Sequence, residues 1–187
     1  MADLYIALLH YPVVDRNARI VTSAITSLDI HDLARSARTY GVRRFFIVHP
    51  VAEQREFAAR VIEHWFEEPG RAFDSRREEA LALARVVATL EEALAAAAAE
   101  SGAAPIVVST SARNRAGIGF QSLREKIEAP DGQPIMLLFG TAFGLAAAML
   151  ERAELALAPI RGPGDYNHLS VRAAVTAILD RLRGQPA

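Results

Sequence analysis

Apolar residues run without a break from Leu4 to Leu9 and stop at His10-Tyr11-Pro12. A short continuous apolar run rich in strand formers, closed by turn residues, reads as a strand buried on both faces. Phe45-Phe46-Ile47-Val48, Pro105-Ile106-Val107-Val108-Ser109 and Pro134-Ile135-Met136-Leu137-Leu138-Phe139 have the same character, with a shorter version at Leu155-Ala156-Leu157-Ala158 and another apolar stretch near Arg85 to Thr89. Between these runs the spacing becomes helical. From Asp29 to Tyr40 the apolar positions Ile30, Leu33, Ala34 and Ala37 share one face, Asp29 stands where a cap belongs and Gly41 where a helix stops. Helices are also predicted over about Val51 to Phe66 with a break at Pro69-Gly70, over Leu90 to Glu100, and over about Leu169 to Leu182. The alanine-rich Ala93 to Ala99 tract suits a packed helix, since alanine is the best helix former.

Buried strands alternating with helices specify an α/β fold: a mainly parallel sheet with helices on both faces. No internal repeat and no long polar linker divides the chain, so residues 1–187 are expected to form a single domain. Composition agrees, because 51% hydrophobic and 23% charged content describes a chain able to bury a core. The absence of cysteine excludes a disulfide scaffold, a thiolate nucleophile and any cysteine-held metal. No apolar run approaches the roughly 20 residues that cross a bilayer. The first residues lack the layout of a signal peptide, so a cytoplasmic location and no membrane partner are expected.

A net charge of -1 argues against nonspecific coating of nucleic acid, which needs a broadly basic surface, yet it permits a local basic patch. Lys126 is the only lysine, so the cationic side chains are otherwise arginines. Ligands of open α/β sheets collect beyond the carboxyl ends of the strands. That directs attention to His10-Tyr11-Pro12, His49-Pro50, Ser109-Thr110-Ser111, Gly140 to Gly144, and Pro159 to Asn167. The glycine-to-lysine phosphate loop is missing, and Gly117-Ile118-Gly119 lacks the third glycine of a dinucleotide site. The five histidines show no paired spacing around a glutamate, and nothing in the chain requires a metal. Asp29 and Asp32 are explained more simply as charges at a helix start than as a ligand pair. Arg35 and Arg38, one turn apart, suit either a solvated face or a guanidinium pair for phosphate.

Three segments, in order, resemble the SPOUT superfamily of knotted S-adenosylmethionine-dependent RNA methyltransferases. Asp32-Leu33-Ala34-Arg35-Ser36-Ala37-Arg38-Thr39-Tyr40-Gly41-Val42 is similar to its first motif, and Leu137-Leu138-Phe139-Gly140-Thr141-Ala142-Phe143-Gly144-Leu145 to its second. Ala158-Pro159-Ile160-Arg161-Gly162 and Asn167-His168-Leu169-Ser170-Val171-Arg172-Ala173-Ala174 resemble the third. With Ala7-Leu8-Leu9-His10-Tyr11-Pro12, Asp29-Ile30-His31-Asp32 and Asp165-Tyr166, the whole chain resembles a small bacterial SPOUT family, typified by a Thermotoga protein, that also occurs fused to tRNA guanine-N1 methyltransferases.

The resemblance implies a C-terminal trefoil knot, a homodimer, S-adenosylmethionine as cofactor and tRNA or rRNA as substrate. It implies cofactor contacts from Leu138, Phe139, Gly140, Gly144, Ala158, Ile160 and Leu169, with Asn167, His168 and Ser170 in the same loop. Ser109, Thr110 and Ser111 are expected near the ribose or amino-acid part. Arg35 matches the arginine associated with the nucleophilic hydroxyl in ribose methyltransferases, and Arg35, Arg38, Arg43 and Arg44 are expected to line an RNA groove. Thr141, Ala142 and Ser170 depart from the ribose-methylating pattern. The Gly164 to His168 stretch instead resembles the loop in which an aspartate takes a base proton in guanine-N1 enzymes, giving Asp165 as a candidate base. Two further readings stay open: a non-catalytic cofactor-binding module that holds RNA or a partner, and an α/β nucleotide binder without methyl chemistry.

Overall fold

The computed structural model describes residues 1–68, 74–113 and 116–185. Its strands are β1 (Leu4–Leu9), β2 (Val13–Val14), β3 (Ile20–Val21), β4 (Arg44–Val48), β5 (Ala84–Val87), β6 (Ile106–Ser109), β7 (Ile135–Gly140) and β8 (Leu155–Ala156). The helices are α1 (Ser27–Thr39), α2 (Ala52–Glu63), α3 (Ser75–Leu81), α4 (Leu90–Ser101), α5 (Phe120–Glu128), α6 (Ala147–Glu151) and α7 (Val171–Arg183). Six strands pair in the order β5-β4-β1-β7-β6-β8, every pair parallel, with β1 and β7 at the centre in register from Leu4 opposite Ile135 to Leu9 opposite Gly140.

Side chains alternate across the sheet as the pleat requires. Leu4, Ile6 and Leu8 of β1 join Phe45, Ile47, Leu137 and Phe139 in a core covered by α1, α2, α3, α5 and α7. Tyr5, Ala7 and Leu9 join Phe46, Val48, Met136 and Leu138 in a second core beneath α4 and α6. Strands buried on both faces have no polar side to show, which is why their sequences read as unbroken apolar runs. The alanines of α4 serve this packing, with Ala93 and Ala97 fully buried against the sheet.

Several elements differ from expectation. The β2–β3 hairpin is too short for a periodic signal, and its turn is held by the Asp15 carboxylate, which accepts from the Asn17 and Arg19 amides at 2.8 and 3.0 Å. The helices α3, α5 and α6 are likewise unforeseen; α5 buries only Leu123 and Ile127 among its side chains, too sparse a stripe to read. The predicted break at Pro69-Gly70 lies outside the described residues. In α1 the cap is Thr26, whose hydroxyl oxygen accepts the Asp29 amide at 3.2 Å, so Asp29 sits in the first turn with its carboxylate free for other contacts. Gly41 does close that helix, with φ of +67°. The last helix begins at Val171, behind a Ser170 cap.

Helix α7 returns over the sheet to pack on α1 and α5, burying Val175, Ile178, Leu179 and Leu182. Leu179 is fully buried, so Leu179→Ala is expected to cost about 2–5 kcal/mol of folding stability in denaturant titration. A loss below about 1 kcal/mol would mean that α7 is not packed as described.

Candidate functional site

The loops leaving β1, β6, β7 and β8 converge at the carboxyl edge of the sheet around a cavity of about 700 Å³. One wall is the turn from Phe139 to Gly144, facing the loop of Thr110 to Arg113 and the segment from Leu157 to Ile160. Asp165, Asn167, His168, Leu169 and Ser170 form the rim, and Val171, Ala174 and Ile178 of α7 close one side, with Ser23, Ala24 and Asp29 completing the lining. The turn is tight. A Cβ at Gly140 would lie 2.6 Å from the Leu145 nitrogen, and Gly144 has φ of +106°, so glycine is needed at both places. The turn is also tied outward, since Phe143 donates its amide to the Val14 carbonyl at 3.0 Å and Val14 returns a bond to Gly144 at 2.9 Å.

Behind this wall lies a buried polar joint. Ser23 and Thr141 share a short hydrogen bond between hydroxyls, and the Ser23 hydroxyl also bonds His10 Nδ1 at 3.1 Å. His49 packs on His10 with ring centroids 5.5 Å apart. Its Nδ1 accepts the Val51 amide at 3.1 Å, so the proton of the neutral ring sits on Nε2, which donates to the Ser23 carbonyl at 2.9 Å. Both imidazoles are buried, and burial, with His49 alongside, lowers the His10 pKa to about 4. His10 is therefore neutral at physiological pH, a fixed hydrogen-bonding group rather than a proton carrier.

Asp29 connects this cavity to a second depression. Its carboxylate accepts from the Thr26 hydroxyl at 2.6 Å and from Arg172 Nη1 at 3.2 Å, while Arg172 Nε lies 3.3 Å from Asp32. Beyond Arg172 an open groove of about 830 Å³ runs between α1 and α7, lined by Asp32, Arg35, Tyr40, Thr176 and Asp180 among others. Ser170 borders both spaces.

Of the sequence-derived cofactor residues, Thr110, Ser111, Phe139, Gly140, Gly144, Ala158, Ile160, Asn167, His168, Leu169 and Ser170 all line the cavity. Leu138 and Ser109 do not. The Leu138 side chain belongs to the second core, and its carbonyl accepts the Thr110 hydroxyl at 2.8 Å. Ser109 is buried, and its hydroxyl reaches the Leu155 carbonyl at 3.5 Å. Asp165 stands on the cavity rim and Arg35 in the α1–α7 groove, so the two candidate catalytic residues occupy separate depressions. The four arginines expected to line one RNA groove are not brought together. Arg38 pairs with Glu79 of α3, Arg43 with Asp3 at 2.6 Å, and Arg44 with Glu100 at 3.0 Å. Arg43 and Arg44 precede or open β4 and so lie at the amino edge of the sheet, away from the cavity. Arg35 is exposed and has no carboxylate partner among the described residues.

The S-adenosylmethionine-dependent RNA methyltransferase family model matches residues 3–184. The chain belongs to this family. A tRNA (guanine-N(1)-)-methyltransferase of Oleidesulfovibrio alaskensis is 42% identical over 182 residues, covering 97% of this chain and 42% of that protein. The chain thus spans under half the length of that relative. An Aquifex aeolicus protein is 39% identical over 181 residues, covering 96% of this chain and 88% of its own. The fold is that of the SpoU methyltransferases: the structure of AviRb from Streptomyces viridochromogenes in complex with the cofactor AdoMet superposes with a TM-score of 0.59 at 18% identity, covering 96% of this chain and 56% of that one. No helix among the described residues is long and apolar enough to cross a membrane.

Sequence reasoning missed Arg172 as a partner of Asp29, and His10 and Ser23 as supports of Thr141. Asp29 and Arg172 stand 143 positions apart, so no local pattern joins them. The sequence places His10 in a candidate ligand loop at a strand end, with no sign that it bonds Ser23 behind Thr141.

The joint has a pH consequence. From pH 6.5 down to about 4 the unfolded chain binds a proton at His10 that the native form refuses, so stability must fall as the medium is acidified. The loss attributable to this group reaches about 3 kcal/mol at the acid end and levels off below it. Stability curves of His10→Asn, which removes the titration but keeps an amide donor near Ser23, are expected to be flatter across that window by about one proton. A parent-like slope in the variant would exonerate His10.

Proposed function

We propose that this chain transfers the methyl group of S-adenosylmethionine to a nucleotide of tRNA, with the donor seated in the strand-end cavity. The observation that carries this reading is the cavity's construction. Its volume suits one small ligand, its walls are apolar at Phe139, Leu157, Ile160 and Ile178, and glycine at 140 and 144 lets main-chain groups form its edge. Such a slot fits a flat adenine between apolar walls, with the ribose hydroxyls and amino-acid end near Thr110, Ser111, Asn167 and Asp29.

The donor, once bound, supplies a methyl already activated on a sulfonium. The protein's work is then alignment and the management of one proton. Arg35 suits a phosphate or a ribose hydroxyl, being an uncommitted, permanently charged fork on the groove that meets the cavity at Ser170. Asp165, a rim carboxylate, suits a base N–H. tRNA as the acceptor is supported by the Oleidesulfovibrio relative, whose name specifies tRNA. The chain works as a homodimer, and the 141–146 turn and 157–170 segment form a trefoil knot about the donor; the three motifs in SPOUT order support both. Residues 1–187 act as one SPOUT unit.

Two experiments test the proposal. Calorimetric titration with S-adenosylhomocysteine is expected to give one site per chain, weakened about tenfold or more by Gly140→Ala, because the added methyl must displace backbone at Leu145. Parent affinity in that variant would remove the donor from this cavity. Incubation of labelled donor with total tRNA from a strain lacking the protein, followed by nucleoside mass spectrometry, is expected to show methyl incorporation. A larger rate loss with Arg35→Ala assigns ribose chemistry, and with Asp165→Ala base chemistry, each leaving donor affinity within about threefold. Donor binding without incorporation into any RNA would leave a binding module in place of an enzyme.

A further inference from the structure

Three of the chain's exposed large apolar side chains gather on the rim of one cavity. Tyr166 is 81% exposed, Phe143 55% and Leu169 51%, and the Tyr166 ring meets His168 edge-on with centroids 5.4 Å apart. Phe143, His168 and Leu169 line the cavity itself. The loops that carry them are both fastened to the 110–113 loop: Arg113 Nη2 donates to the Phe143 carbonyl at 2.9 Å, and Asn167 Nδ2 donates to the Ala112 carbonyl at 3.3 Å. Arg113 has no carboxylate partner among the described residues, and neither does the exposed Arg161, the residue after cavity-lining Ile160. Arg38, Arg43 and Arg44, by contrast, are all committed to carboxylates.

We propose that this rim is the RNA-contacting surface, with an unpaired base stacked on Tyr166 and the adjoining phosphate held by Arg113. The inference rests on the reading that the cavity below holds the methyl donor. Given that reading, an acceptor atom must come to the cavity mouth, and whatever presents it must be unstacked to reach there. Single-stranded RNA is held by stacking bases on aromatic side chains and by arginine at the backbone, which is the pair of groups the rim offers. Charge points the same way. A chain with a net charge of -1 attracts polyanions only where arginines keep their charge uncompensated, and Arg113, without a carboxylate partner among the described residues, meets that condition at the site. Asp165 is the carboxylate nearest this rim among the cavity-lining residues, set beside Tyr166 where a base edge would arrive.

The test uses the full chain with total tRNA from a strain lacking the protein, read by binding anisotropy and by methylation kinetics. Tyr166→Ala is expected to weaken RNA binding about tenfold and to raise the RNA KM similarly, while Tyr166→Phe keeps both near parent values because the ring remains. Arg113→Ala should weaken binding and lower the salt dependence by about one counterion. Affinity for S-adenosylhomocysteine and the melting temperature should stay at parent values in both Tyr166 variants, since Tyr166 is a surface residue. Parent RNA affinity in both Tyr166→Ala and Arg113→Ala overturns the proposal. So does a fall in particle mass by light scattering accompanying the loss in Tyr166→Ala, which makes the patch a contact between copies of the chain. A parent protein that fails to bind S-adenosylhomocysteine sinks the donor reading instead, a result separable from either of these.

Discussion

A parallel strand buried on both faces leaves its carboxyl end in a dry place, and β1 and β7 end there side by side, at Leu9 and Gly140. The backbone leaving those strands still carries donors and acceptors that water does not reach, and each must be satisfied within the protein. The Thr141 amide and hydroxyl both turn to the Leu9 carbonyl, at 3.3 Å each, and the Ser23 amide takes the His10 carbonyl at 2.9 Å. The hydroxyls of Ser23 and Thr141 then satisfy one another, with His10 behind. This joint fixes the direction in which the glycine turn leaves the sheet. The direction of that turn decides whether there is a cavity at all.

The same economy of polar groups separates the arginines by role. At the amino edge of the sheet Arg43 and Arg44 share Asp3 and Glu100 and also bond the carbonyls of Glu100 and Ala82. They fasten α4 and the start of β5 to β4, and a guanidinium so occupied has few donors left for a phosphate. In the α1–α7 groove Arg35, and at the cavity Arg113, have no carboxylate partner among the described residues. Partner geometry distinguishes these groups where sequence position does not.

The sheet was legible because burial on both faces forces unbroken apolar runs, and Leu4 to Leu9 and Ile135 to Phe139 permit little else. The glycine turn was legible too, since Gly140 and Gly144 meet constraints that only glycine tolerates. The hairpin at Val13 to Val21 was not, because two-residue strands carry no period and the Asp15 carboxylate that shapes their turn looks like any surface acid. Asp29 was read as part of a helix start, and the reading was half right. Thr26 caps the helix, which frees the Asp29 carboxylate to face a cavity and an arginine from the far end of the chain. Grouping Arg43 and Arg44 with Arg35 followed chain proximity, but between them lies the turn at Gly41, after which the chain reverses to the opposite edge of the sheet.

The position of Arg35 is set by α7 as much as by its own helix. Between α1 and α7, Leu33, Ala34 and Ala37 pack with Val175, Ile178 and Leu179 in an apolar seam. Along the outer side of that seam run Asp29 and Asp32 with Arg172, Ser36 with Thr176 at 2.7 Å, and Tyr40 with Asp180 at 3.1 Å. Of these, Ser36–Thr176, Tyr40–Asp180 and Arg172–Asp32 are open to water and add little stability, so the apolar seam does most to hold the helices together. What the ladder supplies is register, because sliding α7 by one turn would break all of its rungs at once. The amino end of α7 is also a wall of the cavity, through Val171 and Ala174. Arg172, next to that wall, is bonded to Asp29 and paired with Asp32 on the helix that carries Arg35, so the cavity wall and the groove are built on one set of contacts, with Ser170 bordering both.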